Sequence, residues 1–114
     1  MWAVIKVNTK CLSSLKKEFR EKLGNNVAYY SPKLRLKKFY KRKTSIKEIP
    51  LLGDYLLCFH ESFKKSTIID TLQYCKGLKY FLTNFVDTQS DIKKFIKNCK
   101  NNEDEDGFIK PSFF

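Results

Sequence analysis

The residues of this chain that could do acid–base, nucleophilic or metal chemistry are few and far apart. The one histidine, His60, ends an apolar stretch, whereas general acid–base work needs a partner side chain within reach. The four cysteines form no Cys-x-x-Cys pair, which argues against structural zinc and favours reduced thiols in the cytoplasm. Cys58 and Cys75 fall in apolar stretches and are expected in the core. With no glycine-rich phosphate loop either, the sequence predicts neither an enzyme nor a cofactor.

The basic side chains indicate a different chemistry, the binding of polyanions. The chain has 23 Lys and Arg against 12 Asp and Glu, a formal net charge of +11. Four of the acids stand together at residues 103–106, so residues 1–100 hold 22 bases and 8 acids, a net charge of +14. A field of this sign attracts DNA, RNA or an anionic membrane face. The alternative is a lysine-rich surface that is only solvated.

The clearest basic segment runs from residue 33 to residue 47 and contains eight Lys and Arg. Leu34 and Leu36 alternate with bases there, which is typical of a half-buried strand, and residues 41–44 are predicted to form a hairpin tip. Phe39 and Tyr40 could stack on unpaired bases while the cations neutralise phosphates. The candidate nucleic-acid-binding cations of this segment are Lys37, Lys38, Lys41, Arg42 and Lys43. The alternative is that these lysines protect a sheet edge from aggregation.

A second basic region surrounds the first predicted helix. Apolar residues recur at spacings of three, four and four, and residues 24–26 end the helix; the apolar positions are Leu12, Leu15, Phe19 and Leu23. The candidate nucleic-acid-binding cations here are Lys10, Lys16, Lys17 and Arg20. The alternative is an ordinary solvated helix face.

The remaining elements indicate an α+β fold. Strands are predicted at residues 2–7, 27–30, 54–60 and 78–83, and further helices at 66–74 and 90–99. Ser66 or Thr67 is expected to cap the former helix. The order of elements predicts two helices crossing one face of an antiparallel sheet. Residues 101–106 resemble a linker, and the apolar tail after them is expected to lead into another domain or to pack somewhere. No run is long enough for a membrane helix, and no signal peptide is expected.

Residues 49–59 are the most informative segment. They form an apolar run with a turn in the middle, and they follow the basic segment directly. Such a run can place an apolar corner at the surface and then send a strand into the core. We therefore expect a domain that holds one protein partner beside nucleic acid.

Five segments, in order, resemble the N-terminal (NGN) domain of the NusG/RfaH family of transcription elongation and antitermination factors. They are W-A-V-I at 2–5, the helix at 12–23, Y-S-P at 30–32, I-P-L-L-G-D-Y-L-L at 49–57 and K-G-L-K-Y-F-L at 76–82. The resemblance covers residues 1–100. The family's Phe-Pro-Gly turn is Leu52-Gly53-Asp54 here. The family's KOW domain is not among these 114 residues and is expected after the acidic linker and apolar tail at 101–114.

The resemblance implies a four-stranded antiparallel sheet with flanking helices, ferredoxin-like, carrying a basic β-hairpin. It implies binding to the RNA polymerase β′ clamp helices and β gate loop, and to non-template or upstream DNA, by a cytoplasmic monomer without membrane contact. The clamp positions correspond to Leu51, Leu52, Tyr55 and Leu57. Ser66 and Thr67 fall near the gate-loop contact, and Lys10 and Lys76 where the family approaches the non-template strand.

Two alternatives remain beside the resemblance. Tyr55 and Leu57 alternate along a strand, so they could simply face the core. The whole chain could also be a stand-alone basic module that binds RNA or DNA, for instance in association with the ribosome. A nucleic-acid-processing enzyme would need a clustered acid or histidine site, which the sequence does not indicate.

Overall fold

The computed structural model describes residues 1–111, and for Lys38 the backbone alone. The strands are β1 Trp2–Val7, β2 Ala28–Tyr30, β3 Lys33–Tyr40, β4 Lys43–Pro50, β5 Tyr55–Phe59 and β6 Leu78–Phe81. The helices are α1 Leu12–Leu23, α2 Ser66–Leu72 and α3 Gln89–Asn101, with single 3₁₀ turns at Thr9–Cys11 and Glu61–Lys64.

Four strands form one antiparallel sheet in the order β2-β5-β1-β6, and β3 pairs with β4 in a separate two-stranded sheet. The prediction of an α+β fold with a four-stranded antiparallel sheet and helices is therefore confirmed. The central strands β1 and β5 consist mainly of apolar residues, because they have neighbouring strands on both edges and helices on both faces.

One face of the four-stranded sheet packs against α1. Ile5 pairs with Leu56 on one side and Phe81 on the other, so these three side chains point the same way. Phe19 of α1 stacks on Phe81 with ring centroids 6.5 Å apart. Leu72 of α2 belongs to the same buried core. The apolar spacing of α1 thus faces this core, as its sequence periodicity predicts.

The opposite face is covered by α3. Val4 and Leu57 pair across β1 and β5 and point to this side. Gln89, the first residue of α3, holds the helix in place: its Oε1 accepts from the Trp2 backbone N–H at 2.8 Å, and its Nε2 donates to the Trp2 carbonyl at 2.5 Å. The side chain of Ile92, which belongs to α3, is buried.

Helix α2 begins differently from the prediction. Neither Ser66 nor Thr67 caps it; the N-cap residue is Lys65, and no side chain caps the helix. Lys65 is extended (φ −98°, ψ 121°) and ends the 3₁₀ turn before it, so Ser66 is already the first helical residue. Residues 73–77 form turns, which is why the helix is shorter than predicted.

The turn before β5 is tight. The backbone N–H of Gly53 donates to the Pro50 carbonyl at 3.3 Å, and that of Tyr55 to the Leu52 carbonyl at 3.2 Å. Gly53 has φ +63°, a conformation that glycine adopts at little cost. Strand β5 therefore begins at Tyr55, one residue later than predicted, and Leu52 is held at the corner of the sheet.

The segment that follows α3 packs against the beginning of β3. The Ile109 N–H donates to the Lys33 carbonyl at 2.9 Å, and the Arg35 guanidinium lies 2.6 Å from Asp104 and 3.2 Å from Asp106. Phe108 and Ile109 are buried. Interpreting residues 101–106 as a linker did not anticipate the contacts of Asp104 and Asp106, because Arg35 is about 70 residues away in sequence. The burial of Phe108 and Ile109 agrees with the expectation that the tail packs against the domain. Phe113 and Phe114 of the predicted apolar tail lie outside the described residues.

Within residues 1–111, no helix has the length and apolar character needed to cross a membrane.

Candidate functional site

The single histidine has structural partners on both ring nitrogens. His60 Nδ1 accepts from the Ser62 backbone N–H at 3.0 Å, so Nε2 is the protonated nitrogen and donates to the Leu23 carbonyl at 3.1 Å. The ring therefore ties the end of α1 to the turn after β5. Neither nitrogen is left to move a proton to or from a substrate.

The cysteines are free thiols, and three of the four are buried. Burial raises the pKa of Cys58 to about 12 and also raises the pKa values of Cys75 and Cys99. A thiol that stays protonated is a poor nucleophile and a poor metal ligand. Among the described residues, no group of three or more His, Cys, Asp or Glu could hold a metal ion.

An open apolar groove of about 470 Å³ lies between α3 and the sheet. Tyr55 and Leu57 alternate with Leu56 along β5, so they point toward α3 while Leu56 points into the opposite core. Leu57, only 3% exposed, forms part of the floor, and the half-buried Tyr55 forms part of the wall. The lining residues, here called the apolar groove, are Val4, Leu52, Tyr55, Leu57, Leu82, Thr88, Asp91, Ile92 and Phe95.

The rim of the apolar groove carries a polar cluster on the same side of the sheet. The hydroxyl oxygens of Tyr55 and Tyr80 are 3.2 Å apart, and Lys6 Nζ lies 5.4 Å and 6.0 Å from the centroids of the two rings. The hydrogen bond to Tyr80 raises the pKa of Tyr55. Tyr55 thus lines the groove while its hydroxyl has a polar partner and its ring has a nearby cation.

The structure brings together three of the predicted polymerase-binding residues: Leu52, Tyr55 and Leu57 line one groove. Leu51 is in the same turn but does not line it, and Ser66 and Thr67 are exposed at the start of α2, outside it. Sequence reasoning missed the contribution of α3, Ile92 and Phe95 among others. The apolar stripe of that helix was visible in the sequence, but its place on the sheet was not.

The predicted cations of residues 37–43 lie at the end of the β3–β4 pair. Lys37, Lys41, Arg42 and Lys43 are exposed, and the side chain of Lys38 lies outside the description. Within residues 1–111, the ion pairs of these two strands involve only Lys33 and Arg35 near the base. Lys37, Lys41, Arg42 and Lys43 therefore face solvent, and none of them pairs with a carboxylate in the described part of the chain.

Two aromatic side chains accompany those cations. Phe39 and Tyr40 are 76% and 72% exposed, which is unusual for rings of this size. They are consecutive on β3 and so point to opposite sides of the hairpin. Lys41 Nζ lies 5.4 Å from the centroid of the Tyr40 ring. Each side of the tip thus presents one exposed ring, and the Tyr40 ring has a cation beside it.

The second cationic region divides into two parts. Lys16 Nζ lies 5.0 Å from the centroid of the Tyr29 ring, and Lys16 and Arg20 line a small cavity of about 120 Å³ beside β2. Lys10 and Lys17 are exposed. The backbone N–H of Asn8 donates to the Gly77 carbonyl at 2.7 Å.

Lys76 belongs to that second region. Its backbone N–H donates to the Glu18 carboxylate, and its side chain is exposed. The Asn8–Gly77 hydrogen bond joins the turn that contains Lys10 to the turn that contains Lys76. These two lysines, 66 positions apart in sequence, therefore occupy one edge of the molecule.

A comparison with models of known protein families finds no match to this chain, and a comparison with curated proteins finds none either.

Proposed function

We propose that this chain is a NusG/RfaH-like NGN domain, with the family's ferredoxin-like arrangement and basic hairpin, that binds the β′ clamp helices of RNA polymerase. It acts by adhesion and not by catalysis, as a monomer in the cytoplasm. The observation that carries the proposal is the apolar groove beside Tyr55, which is open at the point where the resemblance puts the clamp contact.

The groove has the physical properties that such a contact needs. Its lining is almost entirely apolar, and its walls are a helix and a strand, which hold their shape before the partner arrives. Covering a few hundred Å² of apolar surface yields a gross gain of roughly 5–10 kcal/mol, from which the cost of association is subtracted. A central aromatic such as Tyr55 is the usual type of residue to dominate such a contact.

The cationic surfaces supply the second half of the proposed function. With the clamp helices in the groove, the β3–β4 tip and the edge with Lys10 and Lys76 would hold upstream or non-template DNA and so disfavour pausing. Leu51, and Ser66 with Thr67 toward the β gate loop, are proposed as outer contacts because they are exposed or half-exposed.

The test is binding of the full chain to a coiled-coil fragment of the β′ clamp helices, measured by calorimetry. Tyr55→Ala with Leu52→Ala should weaken binding roughly thirtyfold or more, as expected when hot-spot side chains are removed. Leu57 is unsuitable for this test because its burial would also perturb folding. Tyr74→Ala is the matched control, since this tyrosine is 85% exposed and lies outside the groove. A folded wild-type chain that does not bind the fragment would refute the proposal.

A stand-alone nucleic-acid-binding module, RNA- or ribosome-associated, is the second candidate. The observation in its favour is the exposed pair Phe39 and Tyr40 among unpaired cations, a combination that serves single strands without any protein partner. Titration with single-stranded nucleic acid and, separately, with polymerase core distinguishes the two. Tight RNA binding together with no binding to polymerase would favour this candidate.

A further inference from the structure

Helix α3 has a cationic flank that the proposed function does not use. Lys93, Lys97 and Lys100 recur at spacings of four and three, so they follow one side of the helix. This flank is separate from the apolar groove, which receives Ile92 and Phe95 from the same helix. The three lysines surround a depression of about 360 Å³, here called the α3 depression, whose other lining residues are Trp2, Ile96 and Asn101.

The floor of the α3 depression is aromatic and firmly held. Trp2 packs against Phe59 edge-to-face, with ring centroids 5.3 Å apart. Its backbone is fixed to α3 by two hydrogen bonds of the Gln89 side-chain amide. The indole is half-buried but remains part of the open lining. Trp2 thus offers a stacking surface that needs no rearrangement.

The lysines around this floor lack ion pairs, although Lys100 Nζ lies 5.3 Å from the centroid of the Tyr30 ring. Within the described residues, no carboxylate lies within 4.0 Å of Lys93, Lys97 or Lys100. The pKa of the Met1 ammonium group is lowered, first by burial and then by the charges of Lys64 and Lys93, while the charge of Glu61 raises it, so the positive charge of Lys93 extends to the chain's amino end. Such a group of cations is stabilised when an anion binds.

We propose that the α3 depression binds single-stranded nucleic acid, with a base stacked on Trp2 and successive phosphates paired with Lys93, Lys97 and Lys100. Stacking on an aromatic floor between cations is how proteins hold unpaired strands without reading sequence. The site is independent of the polymerase contact and of the β3–β4 tip.

The shape of the depression favours a nucleic acid over an anionic membrane. Membrane adhesion uses apolar side chains that protrude into the lipid. Here the aromatic ring that lines the depression is half-buried, whereas the three lysines around it are exposed. A flat base fits such a recess, whereas a bilayer surface would contact only the lysines.

Trp2 is the only tryptophan, so its fluorescence reports on this depression alone. The full chain is titrated with an unlabelled oligothymidylate of about 12 nucleotides, within the usual site size of such proteins. We expect quenching that saturates. Lys93→Gln with Lys97→Gln and Lys100→Gln should weaken the quenching titration roughly tenfold or more, and reduce its log–log salt slope by about 2.

The matched control is Lys22→Gln with Lys65→Gln and Lys79→Gln, which removes the same charge from exposed lysines elsewhere. It should retain the affinity to within about threefold. Binding seen by anisotropy of a labelled oligonucleotide without any Trp2 quenching would overturn the proposal, as would an equal loss in the control. The same titration with phosphatidylserine vesicles is the third arm. Vesicle binding that depends on the three α3 lysines, without oligonucleotide quenching, would overturn it in favour of a membrane surface.

Discussion

At the residue scale, the chain relies on close backbone packing where the strands and the first helix meet. Gly77 has φ +90°, and a Cβ atom at this position would lie 2.7 Å from the carbonyl oxygen of Cys11. That approach allows the 3₁₀ turn of Thr9–Cys11 to sit against the beginning of β6. The same contact brings the Lys10 and Lys76 segments together. A packing requirement therefore positions two of the proposed DNA contacts.

We expect Gly77→Ala to lower the free energy of unfolding by roughly 2–4 kcal/mol, because it adds a backbone clash to an unfavourable φ. Chemical denaturation monitored by Trp2 fluorescence measures this loss. Gly53→Ala is the matched control, since Gly53 also has positive φ but no atom within 4 Å of the added Cβ, and should cost about 1 kcal/mol. Equal losses in the two variants would show that the contact with Cys11 is unimportant.

At the element scale, the turn that joins β3 to β4 is made of charged residues, although its backbone conformation favours other residue types. The strands pair in register from Lys33 with Pro50 to Tyr40 with Lys43, which leaves a two-residue turn of Lys41 and Arg42. Both turn residues have positive φ, 48° and 62°. Asn-Gly is the favoured sequence for such a turn because it tolerates these angles. The turn is therefore less stable than an Asn-Gly turn, and it carries two cations. Local strain of this kind is common at functional sites.

Replacing the turn, Lys41→Asn with Arg42→Gly, should stabilise the hairpin by about 1 kcal/mol while weakening DNA binding roughly tenfold. Amide hydrogen exchange of β3 and β4 measures the first effect, and fluorescence anisotropy with a labelled duplex measures the second. Lys37→Gln with Lys43→Gln removes the same charge without altering the turn and should weaken binding with no gain in protection. If the turn variant bound DNA as well as wild type, the tip would have no role in binding.

At the scale of the whole molecule, the apolar groove and the main cationic surfaces occupy different places. The apolar groove lies between α3 and the sheet, whereas exposed cations occupy the hairpin, the first helix and the other flank of α3. The acids at 103–106 offset only a local part of this charge, since Asp104 and Asp106 are both paired with Arg35. The molecule can therefore make an apolar contact at the groove and an electrostatic contact at the cationic surfaces at the same time.

This separation predicts two different salt dependences. Raising the salt from about 50 to 200 mM should weaken binding to duplex DNA at least tenfold, because bound cations displace condensed counterions. Binding to the clamp fragment should change by less than about threefold, because apolar burial is insensitive to screening in this range. Anisotropy and calorimetry over a salt series test both. A clamp contact as salt-sensitive as the DNA contact would mean that charge, and not the apolar groove, drives it.

Much of the fold could be predicted from local patterns. The apolar spacing of Leu12, Leu15, Phe19 and Leu23 predicted α1, and the bounds of β1 at residues 2 and 7 follow from a short apolar run. The β5 prediction was one residue too long at each end, because a turn held by Gly53 takes Asp54 and the strand ends before His60. Local periodicity determines which side of an element is apolar, because each element has a fixed side-chain period.

Tertiary structure alone decided what covers each apolar side. The apolar stripe of α3 could not reveal that the helix faces Leu57 across an open groove. Nor could the sequence reveal that the lysines of α3 lie around Trp2, because Lys93 is 91 positions away from it. Likewise, residues 101–106 resembled a linker, whereas Asp104 and Asp106 pair with Arg35. The sequence by itself therefore determined the elements, their apolar sides and the excess of positive charge. The packing of distant segments, which no local period encodes, decided which of these residues share a site.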